Sequence, residues 1–227
     1  MRTRVKICCI ASLEEAQLAI RAGADAVGLI GAGAVPSSPR AVDDRAVASI
    51  AALVPPPVAT FLLTSEDTAA GIARRVLAAG ASTVQIVSKL SRRESEQLPE
   101  LLPTTRRVQV VHVENAGVLD LIGLYASHVH AFLLDSGRPS LPAPEYGGTG
   151  RIHDWSVSAE FVRRSPLPVF LAGGLSPLNV GEAMRVVRPF GVDLCSGVRT
   201  DGHLDRGKLE AFMGAVHRTD AELAPTR

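Results

Sequence analysis

The alternation of strand-like and helix-like runs is the feature of this sequence that most constrains its fold. Short, apolar, β-rich runs alternate eight times with longer runs of helical periodicity. The predicted strands are 5–9, 26–30, 58–63, 83–87, 107–113, 129–134, 169–171 and 192–195. The predicted helices are 12–22, 42–53, 64–79, 92–101, 116–126, 155–164, 177–187 and 208–216.

Eight strand and helix units within 227 residues favour a closed (β/α)8 barrel, the TIM barrel of the α/β class. An open doubly wound sheet is also compatible with the local patterns, because periodicity does not report closure. No stretch of linker composition divides the chain, so we expect a single barrel domain over residues 1–227. Residues 218–227 are expected to form a frayed C-terminal tail.

The charge balance excludes several classes of partner. The net charge is +1, with 46% hydrophobic and 21% charged residues. This balance lacks the basic excess typical of proteins that bind nucleic acid or anionic membranes. No apolar run reaches the roughly 18 residues of a membrane span, and the chain begins directly with a strand. We therefore expect a cytoplasmic protein with no nucleic-acid or membrane partner, either a monomer or a homodimer.

The three cysteines, Cys8, Cys9 and Cys195, are sparse and lack CxxC spacing. This argues against a disulfide framework and against a structural zinc site, so reduced thiols and no bound metal are expected. Adjacent residues of a strand point to opposite faces. Cys8 and Cys9 are therefore not expected to share one role.

In a (β/α)8 barrel the active site lies at the carboxyl ends of the strands. That rule selects the residues at or just after the predicted strand ends as candidates. They are Cys8, Cys9, Arg40, Gln85, His112, Asp135, Gly173, Gly174, Ser196 and Gly197.

Small-residue turns follow the last three predicted strands, at 147–150, 172–174 and 195–197. Glycine lets backbone N–H groups converge on an anion, and barrels often bind phosphate at this place. Each glycine alone could merely permit a tight turn. Three such turns at consecutive strand ends favour a phosphate site.

Cys8 and Asp135 form a candidate base and acid pair. Alternation on the first strand puts Lys6 and Cys8 on the inner face, and Asp135 holds the corresponding place on the sixth strand. The alternatives are a small buried hydrophobe for Cys8 and a helix N-cap for Asp135. His112 is either a third titrating group or a structural histidine, and Arg40 either binds a carboxylate or forms a salt bridge.

These residues, in this order, resemble the phosphoribosylanthranilate isomerase family, (β/α)8 barrel enzymes of tryptophan biosynthesis. The resemblance covers nearly the whole chain. The matching segments are VKIC at 5–8, AGADAVGL at 22–29, SPR at 38–40, VQ at 84–85, LLDSG at 133–137, GGTGR and DW within 147–155, LAGGLSPLNV at 171–180 and RPFGVDLCSGV at 188–198.

The resemblance implies an Amadori rearrangement of a phosphorylated aminoaldose to an aminoketose, without cofactor or metal. It implies that Cys8 is the general base, Asp135 the general acid, and Arg40 the residue facing the anthranilate carboxylate. The implied phosphate and further substrate contacts are Lys6, Gln85, Gly148, Gly173, Gly174, Ser196 and Gly197.

The sequence departs from the family pattern around the mouth of the barrel. Cys9 replaces a glycine, Val87 stands where a histidine is expected, and the segments 31–37 and 138–146 differ in composition or length. Two alternatives therefore stay open beside phosphoribosylanthranilate isomerase activity. One is a related sugar-phosphate isomerase of another pathway, and the other is a non-catalytic barrel that binds a phosphorylated ligand.

Overall fold

The strands close into a parallel barrel, as predicted. The computed structural model describes residues 2–35, 38–138, 140–141 and 150–224. Each strand pairs with the next along the chain, and the eighth pairs with the first, so the open-sheet alternative is excluded. The strands are β1 Arg4–Ile7, β2 Ala26–Ile30, β3 Ala59–Thr64, β4 Thr83–Ile86, β5 Arg106–His112, β6 Ala131–Asp135, β7 Val169–Leu171 and β8 Gly191–Leu194.

A helix follows each strand on the outside of the barrel. The short antiparallel pair β9 Arg199–Thr200 and β10 His203–Leu204 lies between β8 and the last helix. The helices are α1 Leu13–Arg21, α2 Asp44–Leu53, α3 Ala69–Ala79, α4 Arg92–Leu101, α5 Leu121–Tyr125, α6 Trp155–Arg164, α7 Val180–Val187 and α8 Arg206–Leu223. A 3-10 turn at Ala116–Asp120 precedes α5, so the helix predicted at 116–126 contains two geometries.

The predicted start of α3 at residue 64 is wrong. Thr64 is the last residue of β3, and the helix begins at Ala69. Thr68 caps it, since its side chain accepts a hydrogen bond from the Gly71 N–H group. The predicted end is confirmed: Gly80 takes the left-handed conformation, with φ at 63°, that glycine adopts without strain.

The predicted frayed tail is wrong up to Leu223, because α8 continues to that residue. Thr219 is buried on this helix. The Asp220 carboxylate accepts hydrogen bonds from the Thr3 N–H at 2.9 Å and the Thr3 hydroxyl at 2.7 Å. These contacts join the end of the last helix to the residue before β1. Residues 225–227 lie outside the described residues.

Alternation along the strands divides the core into two layers. On β5, Val108 and Val110 pack inside the barrel, whereas Val111 and Val113, which follows the strand, belong to the larger layer between sheet and helices. The same alternation directs every second side chain of a strand into the barrel interior, and those at the carboxyl ends of the strands face its mouth. Among the described helices, none is long and apolar enough to cross a membrane.

Candidate active site

Cys8 and Lys6 reach the barrel interior side by side. Gly28 on β2 leaves the room for them, because a methyl group added there would lie 2.7 Å from the Cys8 sulfur and 3.0 Å from Lys6 Nζ. Cys8 is buried, and its backbone N–H continues the β1–β8 pairing by donating to the Leu194 carbonyl at 2.8 Å. The predicted inner face of β1 is therefore confirmed.

Lys6 forms a buried ion pair beneath Cys8. Its ammonium lies 2.8 Å from the Asp193 carboxylate and 5.3 Å from the centre of the Phe61 ring. Burial alone would lower the pKa of Lys6, but Asp193 and Cys8 outweigh burial and raise that pKa well above its ordinary value. The ammonium thus stays charged beside the thiol. Sequence reasoning missed Asp193, which carries no local signal of pairing.

Asp135 stands at the end of β6, on the inner face. Burial raises the pKa of its carboxyl group, and the charge of Asp193 adds to this effect. His112, the N–H of Ser136 at 2.7 Å and Lys6 act in the opposite direction without cancelling it. A carboxyl group with a raised pKa is suited to donate a proton near neutral pH.

His112 is the neighbour of Asp135 in the sheet. The two residues are register partners across β5 and β6. The His112 Nε2 atom lies 3.0 Å from the Val87 carbonyl oxygen, so that nitrogen carries the proton and donates. This contact fixes the ring beside the acid. Both readings of His112 from the sequence, titrating and structural, are compatible with this position.

Arg40 belongs to an ion-pair network at the end of β1. Its Nη2 atom donates to Glu15 at 2.7 Å and its Nε atom to the Cys9 carbonyl at 3.3 Å, while Nη1 donates to the Gly202 carbonyl. The salt-bridge alternative therefore describes the contacts that Arg40 makes here. Its predicted role toward a substrate carboxylate stays a prediction.

Arg199 is a buried member of the same network that sequence reasoning missed. It donates to Glu15 at 2.8 Å and to the Cys8 and Cys9 carbonyls at 3.1 and 2.8 Å. Burial alone would raise the pKa of Glu15, but hydrogen bonds from Ala11 and Arg199 lower it. Arg199 holds the backbone of the proposed base in place. No local pattern could reveal it, since Glu15 lies 184 residues away.

Gln85 points into the barrel from β4 and is buried. Its Oε1 atom has no hydrogen-bond partner among the described residues. A buried, unpaired amide oxygen is costly, and a bound ligand could satisfy it. This placement agrees with the predicted substrate-binding role of Gln85, which stays a prediction.

The small-residue turns meet one another. Gly173 and Gly174 have φ at 85° and 65°, and a methyl group at Gly174 would lie 2.6 Å from the Arg151 carbonyl oxygen. Gly197 approaches the Leu175 carbonyl oxygen more closely than any side chain would allow. The turns after β7 and β8 are therefore brought together, with Ser196 beginning the second of them, and Gly150 and Arg151 lie against Gly174. Gly148 lies outside the described residues.

Cys9 departs from the strand alternation. β1 ends at Ile7, and Cys9 takes φ at 62°, a left-handed conformation uncommon for a residue other than glycine. Its side chain packs against the cluster that contains Cys8, as that of Cys195 does, and both thiols raise the pKa of Cys9. The expectation that Cys8 and Cys9 point apart is therefore wrong, because the turn at Cys9 replaces the pleat.

The described residues contain no cluster of histidine, cysteine or acidic side chains suited to a metal ion.

Comparison with known proteins places this chain in a family. The family model described as N-(5'-phosphoribosyl)anthranilate (PRA) isomerase matches residues 5–215. N-(5'-phosphoribosyl)anthranilate isomerase 2 of Methanosarcina mazei is 36% identical over 225 residues, which covers 99% of this chain and 97% of the relative.

Two solved structures share the fold. One is a phosphoribosylanthranilate isomerase in complex with reduced 1-(o-carboxyphenylamino)-1-deoxyribulose 5-phosphate, with a TM-score of 0.78, 27% identity, and 95% and 99% of the two chains covered. The other is from Thermotoga maritima, a monomeric form of a dimeric enzyme, with a TM-score of 0.78, 26% identity and the same coverage. The chain therefore belongs to the N-(5'-phosphoribosyl)anthranilate isomerase family of aldose-ketose isomerases.

Proposed function

We propose that this protein converts N-(5'-phosphoribosyl)anthranilate into 1-(2-carboxyphenylamino)-1-deoxyribulose 5-phosphate. One observation carries the proposal: Cys8 lies against the Lys6 ammonium, and Asp135, with its raised pKa, occupies the same inner face at the barrel mouth. The family membership supports it. The rearrangement needs only proton transfers, so we propose no cofactor and no metal.

Asp135 acts as the general acid in the first step. Its carboxylic acid protonates the ribose ring oxygen, the bond from that oxygen to C1 breaks, and a Schiff base forms between C1 and the anthranilate nitrogen. The raised pKa of Asp135 keeps a larger share of the group protonated at neutral pH than an exposed aspartate would have.

Cys8 acts as the general base in the second step. Its thiolate removes the proton from C2, and the electron pair moves through C1 to the nitrogen, which gives an enol. The enol then tautomerises to the ketone. Lys6 supports this step, because its charged ammonium lies beside the sulfur that takes up the proton.

The turns after β6, β7 and β8 would hold the phosphate. Gly173, Gly174, Ser196 and Gly197 lie where these turns converge, and we propose that their N–H groups bind its oxygens. Gln85 would accept a hydrogen bond through its unpaired buried oxygen. Both contacts would keep C1 and C2 of the sugar between acid and base.

Two variants test the assigned roles. Cys8→Ser and Asp135→Asn should each abolish turnover, followed as loss of the substrate's aminobenzoate fluorescence, while largely sparing affinity for a product analogue. The wild-type gene should also restore growth of a tryptophan auxotroph lacking this isomerase. Near wild-type rates in both variants would show that the roles are wrong.

A second candidate function is a sugar-phosphate isomerase with another group in place of anthranilate. The observation that favours it is the engagement of Arg40 with Glu15 and with two backbone carbonyls, which leaves fewer of its donors for a carboxylate. An aminoribose phosphate without the anthranilate should then react faster than phosphoribosylanthranilate. Ligand-dependent thermal stabilisation without any turnover would instead indicate the non-catalytic binder.

The assembly is the remaining part of the proposal. We keep monomer and homodimer as the two expected states, and sedimentation equilibrium distinguishes them.

A further inference from the structure

Three thiols meet at the mouth of the barrel, and the proposed reaction uses only one of them. Cys8, Cys9 and Cys195 pack in one apolar cluster with Ile30 and Ala34. Cys9 interacts with both of the others, since Cys195 and Cys8 raise the pKa of its thiol. Cys9 and Cys195 are partly exposed, whereas Cys8 is buried. A dissolved oxidant can therefore reach the two that the reaction does not need.

The backbone brings the ends of β1 and β8 together. Ile7 and Leu194 are register partners, and the Cys8 N–H donates to the Leu194 carbonyl at 2.8 Å, so the chains after β1 and β8 leave the sheet side by side. Continuing this register places Cys195 beside Cys8, across a strand spacing of about 4.8 Å, and Cys9 is the next residue along the chain. The left-handed backbone of Cys9 departs from the strand pleat, and both Cys9 and Cys195 pack against the same apolar cluster.

The surroundings make Cys195 the more reactive of the two. The hydrogen bond from Cys9 and the charge of Arg199 lower the pKa of the Cys195 thiol to about 7, although burial and Asp193 oppose them. The same pairing raises the pKa of Cys9. A partly exposed thiolate beside a second thiol is the arrangement found in redox-sensing cysteines.

We propose that Cys9 and Cys195 form an oxidisable dithiol site, which hydrogen peroxide converts into a disulfide between the ends of β1 and β8. The Cys195 thiolate attacks one peroxide oxygen, the O–O bond breaks, and the hydroxide released takes up a proton to give water and a sulfenic acid. The Cys9 sulfur then attacks the Cys195 sulfur. An S–S bond forms, the S–O bond breaks, and the oxygen leaves as a second water.

The bond would act on the neighbouring Cys8. The disulfide ties Cys9 to the end of β8. The Cys9 carbonyl already accepts a hydrogen bond from Arg199, so Cys9 would be held at two points. A displacement of the adjacent Cys8 by about 1 Å would reduce turnover by about a hundredfold. This consequence rests on the proposed function, whereas the formation of the bond does not.

Mass spectrometry of the full-length chain tests the bond itself. After treatment with dilute peroxide, the wild-type mass should fall by that of two hydrogen atoms, and peptide mapping should join Cys9 to Cys195. Cys8→Ser should still form the link. Cys9→Gly, which suits the left-handed backbone, and Cys195→Ser should not form it. A link to Cys8, or none in the wild type, would overturn the proposal.

Activity measurements test the consequence separately. Peroxide should inactivate the wild type reversibly, with recovery in dithiothreitol, and should leave Cys9→Gly and Cys195→Ser active. Equal inactivation of all three proteins would show that Cys8 itself is the oxidised residue and would overturn the proposed consequence. If untreated wild type lacks isomerase activity, the proposed function fails while the cross-link result still stands.

Discussion

At the residue scale, the proposed chemistry depends on the buried charges of Lys6 and Asp193, which lie near both proposed catalytic residues. Lys6 pairs with the Asp193 carboxylate at 2.8 Å, and Asp193 and Cys8 together hold the pKa of Lys6 above its ordinary value. Asp193 in turn helps to raise the pKa of Asp135, and its effect exceeds the opposing effect of Lys6. The buried ion pair therefore acts on the proposed acid in the direction that the rearrangement requires.

His112→Gln is expected to shift the pH dependence of turnover. A positive charge on His112 lowers the pKa of Asp135, so its removal raises that pKa further. A general acid works only while protonated, and the fall in kcat on the alkaline side should therefore move to higher pH. The pH profile of kcat measures this. Glutamine can still donate to the Val87 carbonyl, so a reduced kcat with an unmoved profile would indicate a purely structural role.

Lys6→Met is expected to destabilise the fold strongly. The substitution leaves the Asp193 carboxylate buried and unpaired, which costs about 3–5 kcal/mol. Urea denaturation at pH 7 measures the loss. The double variant Lys6→Met, Asp193→Leu removes both charges and should recover much of the stability without recovering activity. Equal stability of the single and double variants would contradict a buried pair.

At the scale of elements, the close approach of the turns after β7 and β8 defines the proposed phosphate site. The approach is possible only because Gly197 has no side chain beside the Leu175 carbonyl. Gly174 allows the same closeness to Arg151. The sequence predicted these turns because small residues recur at strand ends. It could not predict that the turns touch, since that depends on closure of the barrel.

Gly197→Ala is therefore expected to weaken phosphate binding. The added methyl group would force the turn after β8 away from Leu175, and the inhibition constant for inorganic phosphate should rise by about tenfold, or 1.4 kcal/mol. Inhibition of turnover by phosphate measures this change. Gly80→Ala is the matched control. Alanine is strained at the φ of 63° that Gly80 adopts, but nothing lies within 4 Å of the new methyl group. It should lower stability by about 1 kcal/mol and leave phosphate inhibition unchanged.

At the scale of the whole molecule, features that depend on local sequence patterns could be predicted, whereas contacts between distant residues could not. The strands and most helices follow from periodicity within a few residues, and the inner positions of Cys8 and Asp135 follow from alternation once the strands are known. The pairs Lys6 with Asp193 and Glu15 with Arg199 join residues more than 180 positions apart. Only barrel closure brings these partners together, so no pattern in either segment indicates them.

The contact between Asp220 and Thr3 is a third pair of this kind, and it leads to a prediction for the whole barrel. Deletion of residues 218–227 removes the buried Thr219 and the hydrogen bonds that the Asp220 carboxylate accepts from Thr3 before β1. The deletion exposes the surface that Thr219 covers and breaks two hydrogen bonds to a charged carboxylate. The free energy of unfolding should therefore fall by about 2–4 kcal/mol.

Deletion of only 225–227 is the control, because it leaves α8 complete. That variant should unfold at the wild-type urea midpoint, whereas the longer deletion should unfold at a clearly lower one. Asp220→Ala in the full chain should reproduce part of the loss, because it removes the hydrogen bonds and keeps the helix. If the two deletions had equal midpoints, α8 beyond residue 217 would contribute nothing to closure, and the barrel would be held at this seam by the β1–β8 pairing alone.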